Sequence, residues 1–234
     1  MSFSVGPKKG KNMLDLDELY FSSDRYRTLL EKIGNEIRQE DIAERSGDLI
    51  AACKHGLKVW DCLLKLMKMN GAQSIYELDA GGATIYDLLY WAATFVDNLH
   101  NASIRDKLFE KHKLSFCEAY VDMHRGMLDK DVRNLGNIRT SLAECYLKLG
   151  KSEKTDDLFR EWLSAEPTWG FGWTGWSDLY WLWNVGIEKD FKKAEKILKE
   201  GLKVPNVNDR EHIKERLAKL KKAKKSNIRP THKN

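Results

Sequence analysis

Along most of this chain the apolar residues recur every three to four positions, the period of amphipathic helices. Leu29, Leu30, Ile33, Ile37 and Ile42 share one face and predict a helix over about 24–45. Ser46, Gly47 and Asp48 then break and restart the chain. A second helix carries Leu49, Ala52, Cys53, Leu57, Trp60, Leu64 and Met67, and stops near Asn70 and Gly71. A looser segment holding Gly81 and Gly82 comes next. Thr84 or a neighbour starts a strongly apolar helix through Ile85, Leu88, Leu89, Trp91, Phe95, Val96 and Leu99. Asn101 and Ser103 mark a turn and cap, and a long helix over about 104–128 is expected after them.

The pattern is cleanest beyond Val132. One helix carries Leu135, Ile138, Leu142, Tyr146 and Leu149 and ends at Gly150. Its partner carries Leu158, Phe159, Trp162 and Leu163 and ends at Pro167. A second pair follows over about 169–183 and 190–202, closed by Pro205. Ile213, Leu217 and Leu220 line one side of a last helix, about 209–225, whose other faces are charged. That is the makeup of a capping helix, since a stack of hairpins must end in a polar face. About nine helices and no strand are predicted.

Leu142, Tyr146 and Leu149 are echoed 34 residues later by Trp176, Tyr180 and Trp183. This period belongs to two-helix repeats that stack into a solenoid. The segment from Leu142 to Pro167 resembles a tetratricopeptide repeat. Leu142 and Ala143 fill its leucine and small-residue pair, Tyr146 follows at the right step, Gly150 makes the turn, and Phe159 and Pro167 complete the unit. Arg139 stands where the motif has tryptophan and Thr155 where it has alanine. The next unit restores both, with Trp173 and Ala194, and has Leu198 in the aromatic slot and about five extra residues around 184–189. Gly47 and Ala52 suggest a degenerate earlier unit. The stretch 170–183, with the helix after it, is similar to a group of largely Firmicutes repeat proteins. Some of these carry a Cys-rich zinc-binding tail like that of the secretion ATPase. Here no cysteine follows Cys145, so no metal role transfers. The resemblance implies an all-α superhelix of tetratricopeptide-like hairpins with a C-terminal capping helix, and no activity. The expected organisation is a flexible arm (1–12), a divergent helical-hairpin region (13–130), two repeats plus cap (131–225), and a basic flexible tail (226–234).

Composition adds limits. Charged residues make up 32% and hydrophobic ones 42%, ordinary for a globular protein. No apolar run could span a membrane, and residues 1–12 lack the apolar core of a signal peptide, so a cytoplasmic protein is expected. The four cysteines are scattered without a CxxC pair and read as buried, reduced thiols. From Asp209 onward ten Lys or Arg face three acids, so the +5 net charge is a slightly acidic body with a basic tail. A Lys-rich tail can hold nucleic acid nonspecifically.

Candidate chemistry is of the binding kind. Six of the eight tryptophans lie between Trp162 and Trp183. Trp173, Trp176 and Tyr180 occupy packing slots. The inner face of their helix carries Phe171, Thr174, Asp178 and Trp181, and the equivalent face one repeat earlier carries Asn137, Thr140, Glu144 and Leu147. Repeat proteins that clamp a peptide carboxylate present Lys and Asn there. Glu144 and Asp178 at matching steps instead suit a basic or apolar segment of an unknown protein partner. A rival lies in 39–48, where Ala43 and Gly47 have helix-turn-helix spacing and suggest nucleic-acid binding. His112, Cys117 and His124 are five and seven residues apart on one helix and do not gather as metal ligands. No phosphate loop, nucleophile elbow or HExxH pattern occurs, so neither enzyme activity nor a cofactor is expected.

Overall fold

The computed structural model describes residues 16–228 except 184, 185 and 187. Ten helices form among them: α1 (Leu16–Ser46), α2 (Leu49–Asn70), α3 (Ile75–Ala80), α4 (Leu88–Ser103), α5 (Leu108–Met123), α6 (Leu135–Lys148), α7 (Ser152–Ala165), α8 (Gly170–Trp181), α9 (Phe191–Lys203) and α10 (Arg210–Ile228). No strand occurs among the described residues. The chain is an all-α superhelix of helical hairpins, closed by α10. Even-numbered helices from α2 to α10 touch in succession and make one layer, and α1, α5, α7 and α9 pack behind them.

Several boundaries differ from those the pattern suggested. The first helix begins eight residues early, at Leu16. The supposed loose segment contains α3, whose Ser74 side chain accepts from Glu77 N while Glu77 accepts from Gln73 N. These two bonds, one at the N-cap and one at the residue before it, close the helix end and let six residues hold a helical turn. The helix α4 starts after Asp87, whose carboxylate accepts from Tyr90 N, and it runs straight through Asn101 and Ser103. The expected helix over 104–128 is therefore shorter at both ends. The flexible arm and residues 229–234 of the tail lie outside the described residues, and residues 226–228 belong to α10.

The first two helices form a long antiparallel hairpin. Asn70 of α2 meets Tyr26 of α1, His55 and Lys58 meet Glu36, and Gly47 makes the turn at a φ of 79°. A helix-turn-helix needs its second helix crossed over the first with a free leading face. Here Ala52 and Cys53, in the first turns of α2, are fully buried.

Two aromatic clusters make the core. In the first, Trp91 stacks on Phe95 at 5.2 Å, and Phe116 meets Trp60 and Phe95 edge-on at 4.8 and 5.0 Å. Gly56 makes this possible, because a Cβ there would lie 2.3 Å from the Phe95 ring. In the second, Phe159 stacks on Trp176 at 5.7 Å. The two clusters meet on α6, which gives Leu135, Ile138, Leu142 and Tyr146 to one and Ala143 and Leu147 to the other. A break in α6 would open both.

Candidate functional site

The 34-residue echo survives as repeated bonding in α6 and α8. Thr140 donates to the Gly136 carbonyl, and Thr174, its counterpart, donates back to the carbonyls of Gly170 and Phe171. Both departures from the motif are compensated. The Arg139 guanidinium lies over the rings of Trp162 and Trp169, at 5.5 and 5.9 Å, and donates to the Met127 carbonyl at 2.6 Å. Thr155 is completely buried and donates to the Ala143 carbonyl at 3.1 Å. Trp176 and Tyr180 are buried in the core, and both donate to Asp156 Oδ1, at 2.9 and 2.7 Å. Lys193 reaches the other oxygen at 2.5 Å, so one carboxylate ties α7, α8 and α9 together.

This scaffold holds α4, α6, α8 and α10 side by side over a groove of about 590 Å³. Asp97 comes from α4, Asn137, Thr140 and Ser141 from α6, Phe171, Thr174, Gly175 and Asp178 from α8, and His212 and Arg216 from α10. Asp129, Asn134, Trp169 and Trp183 add to the lining from outside the helices. Phe171, its ring tilted against His212 at 5.6 Å, keeps 55% of its surface exposed and Trp183 39%, so two aromatic surfaces remain partly open.

Five of the eight residues marked by the pattern line this groove: Asn137, Thr140, Phe171, Thr174 and Asp178. The other three do not. Leu147 and Trp181 are packed into the second core cluster. Glu144 is buried and accepts from Lys113 at 2.5 Å, with Lys148 at 3.0 Å and His100 at 3.6 Å. The groove follows residues 136–141 of α6 and 171–178 of α8, so Asp178 lines it while Glu144, its counterpart one repeat earlier, is closed off by Lys113 and Lys148. Asp97, His212 and Arg216 had no signal in the periodicity, because each reaches the groove only through tertiary packing.

Electrostatics differ along the groove. Asp178 is 4% exposed, and burial lifts its carboxyl to about 6 although Arg216 at 3.3 Å and the nearby Trp181 indole pull it down. Its Oδ1 has no hydrogen-bond partner, nor has Arg216 Nε. Asp97 is also raised, again by desolvation, with His100 and Lys113 opposing. Glu144 goes the other way. Burial would raise it, but His100, Lys113 and Lys148 together hold it far below the usual carboxylate range.

The remaining candidate chemistry is structural. His124 is fully buried, donates from Nδ1 to the Tyr120 carbonyl and accepts at Nε2 from Tyr76 N. Burial lowers its pKa, so it is neutral and both nitrogens are occupied. All four cysteines are free and buried, and burial pushes Cys53 to about 12 and Cys145 to about 11. Among the described residues no group of three or more His, Cys, Asp or Glu could hold a metal ion, and no helix is long and apolar enough to cross a membrane. No family model, curated protein or solved structure matches the chain, so the groove's own chemistry carries its functional reading.

Proposed function

We propose that this chain is a tetratricopeptide-like interaction scaffold that acts in the cytoplasm and takes a basic or apolar peptide segment into the groove under α4, α6, α8 and α10. One observation carries the reading: exposed Phe171 and Trp183 stand beside Asp97 and the half-paired Asp178 in a single groove. An aromatic floor supplies anchoring area, and carboxylates select a cationic flank. Glu144 is better assigned to the fold than to the ligand, since its charge is already matched by Lys113 and Lys148.

The test uses a dye-labelled peptide of alternating lysine and leucine, followed by fluorescence anisotropy. Asp97→Lys and Phe171→Ala change groove-facing, exposed side chains and leave the core intact. Each should weaken binding by about tenfold while circular dichroism stays unchanged. Equal affinity for wild type and both variants would end the groove assignment. The nucleic-acid alternative draws on the exposed lysines of α10, such as Lys219, Lys221, Lys222 and Lys225. It predicts retention of DNA or RNA that falls steeply with salt and that Phe171→Ala does not affect.

A further inference from the structure

A second pocket, at the opposite end of α6 from the groove, has the reverse chemistry. It is about 250 Å³ in volume and opens where the turn after α4 lies beside the end of α6. Gly136 in the groove and Lys148 here are twelve residues apart on one helix, or about 18 Å. Leu114, Cys145 and Leu149 give the pocket an apolar wall, and Lys107, Lys111 and Lys148 stand around it with a single acid, Glu110.

Two features converge on an anionic, apolar ligand. Lys107 and Lys111 make no ion pair among the described residues, whereas Lys148 and the buried Lys113 are engaged by Glu144. The first amide of α5, Leu108 N, donates to Asp106 Oδ1 at 2.9 Å, so the helix end is satisfied within the chain and the positive charge at the pocket is that of the lysines. The apolar surface also extends beyond the pocket. Leu149 is 56% exposed, and Leu108, the first residue of α5, and Ile104, just after α4, are 53% and 76% exposed. A single small tail in the pocket would leave Ile104 and Leu108 bare, but a peptide with two apolar residues would cover them.

We propose that this pocket is a second docking site, for an acidic peptide segment that inserts an apolar side chain between α5 and α6. Its carboxylates rest on Lys107 and Lys111. The two sites then select opposite charge on one scaffold, and the second does not depend on the first.

The full chain is titrated against a dye-labelled peptide with two leucines flanked by aspartate and glutamate. A control peptide replaces every acid by its amide. Saturable binding of the acidic peptide is expected, with the amide peptide about tenfold weaker. The double variant Lys107→Glu, Lys111→Glu alters exposed side chains only and should weaken the acidic peptide by at least about tenfold. Leu149→Asp should do the same, and Phe171→Ala in the groove should leave it unchanged. Equal binding of both peptides, no saturable binding, or loss on Phe171→Ala with the lysine variant unaffected would each overturn the proposal.

Discussion

The hairpins α6–α7 and α8–α9 reach one geometry with opposite internal chemistry. In the first, a hydroxyl on the second helix bonds the first, Thr155 to the Ala143 carbonyl. In the second the direction reverses, Ser177 of α8 donating to the Ala194 carbonyl of α9 at 3.2 Å. The carboxylates Glu144 and Asp178 stand 34 residues apart at the same repeat position. Glu144 lies among three basic side chains and Asp178 has one arginine. The repeat therefore fixes where side chains stand and leaves their electrostatics to whatever packs above. The same position is a structural ion pair in one hairpin and an under-satisfied groove carboxylate in the other.

The sharpest break is at the residue joining the hairpins. Asp156→Ala removes the acceptor for Trp176, Tyr180 and Lys193 and leaves two buried donors unpaired. Losing one partner of a buried, charged network costs about 3–5 kcal/mol. Urea unfolding of the variant should show that loss. A change below about 1 kcal/mol would mean that aromatic stacking alone holds the hairpins together.

Removing charge at the two equivalent carboxylates should act in opposite directions. Glu144→Gln leaves Lys113 buried beside a neutral amide and should destabilise by about 3 kcal/mol at pH 7. Glu144 is depressed in the folded state, so its contribution is present above the unfolded carboxylate range and lost as pH falls through it. Asp178 is raised to about 6 from an ordinary 3.8, so the native state loses stability as pH climbs between those values. Asp178→Asn should thus be neutral at pH 4 and stabilising by about 1–3 kcal/mol at pH 7, less whatever Arg216 loses. Thermal melts at the two pH values decide it, and two variants of the same sign would remove the contrast.

Much of this architecture was legible because helices announce themselves locally. Asp48 and Asp190 cap α2 and α9 through their carboxylates, and Gly71 closes α2 in the left-handed conformation. The Ser74 cap of α3 was equally local, but six residues carry too little periodicity to stand out. The inner-face spacing found the groove's azimuth, placing Asn137, Thr140, Phe171, Thr174 and Asp178 on it. It could not find what packs against each position. Whether Glu144 faces solvent or Lys113 depends on a residue 31 positions earlier, on a different helix. Arg216 on Asp178 is the same kind of contact, made by a helix whose sequence suggests only a cap.

The smallest effect bears most directly on the reversed hydroxyls. Thr155→Ala turns the first hairpin into the motif's own residue, so the resemblance alone predicts no cost. The geometry predicts otherwise. Thr155 is fully buried, and its hydroxyl serves the Ala143 carbonyl across the helix pair. Its removal should cost about 1 kcal/mol, the net value of a buried hydrogen bond together with a lost methyl, partly offset by alanine's better helix propensity. Ser177→Ala loses only the hydroxyl and should cost about 0.5–1 kcal/mol. The two bonds lie in different hairpins without a shared partner, so the double variant should show the sum of the single losses. A double-mutant cycle from urea unfolding tests this. Coupling larger than about 0.5 kcal/mol would show that the hairpins communicate through α6 and α8, and that the reversed hydroxyls act as one unit.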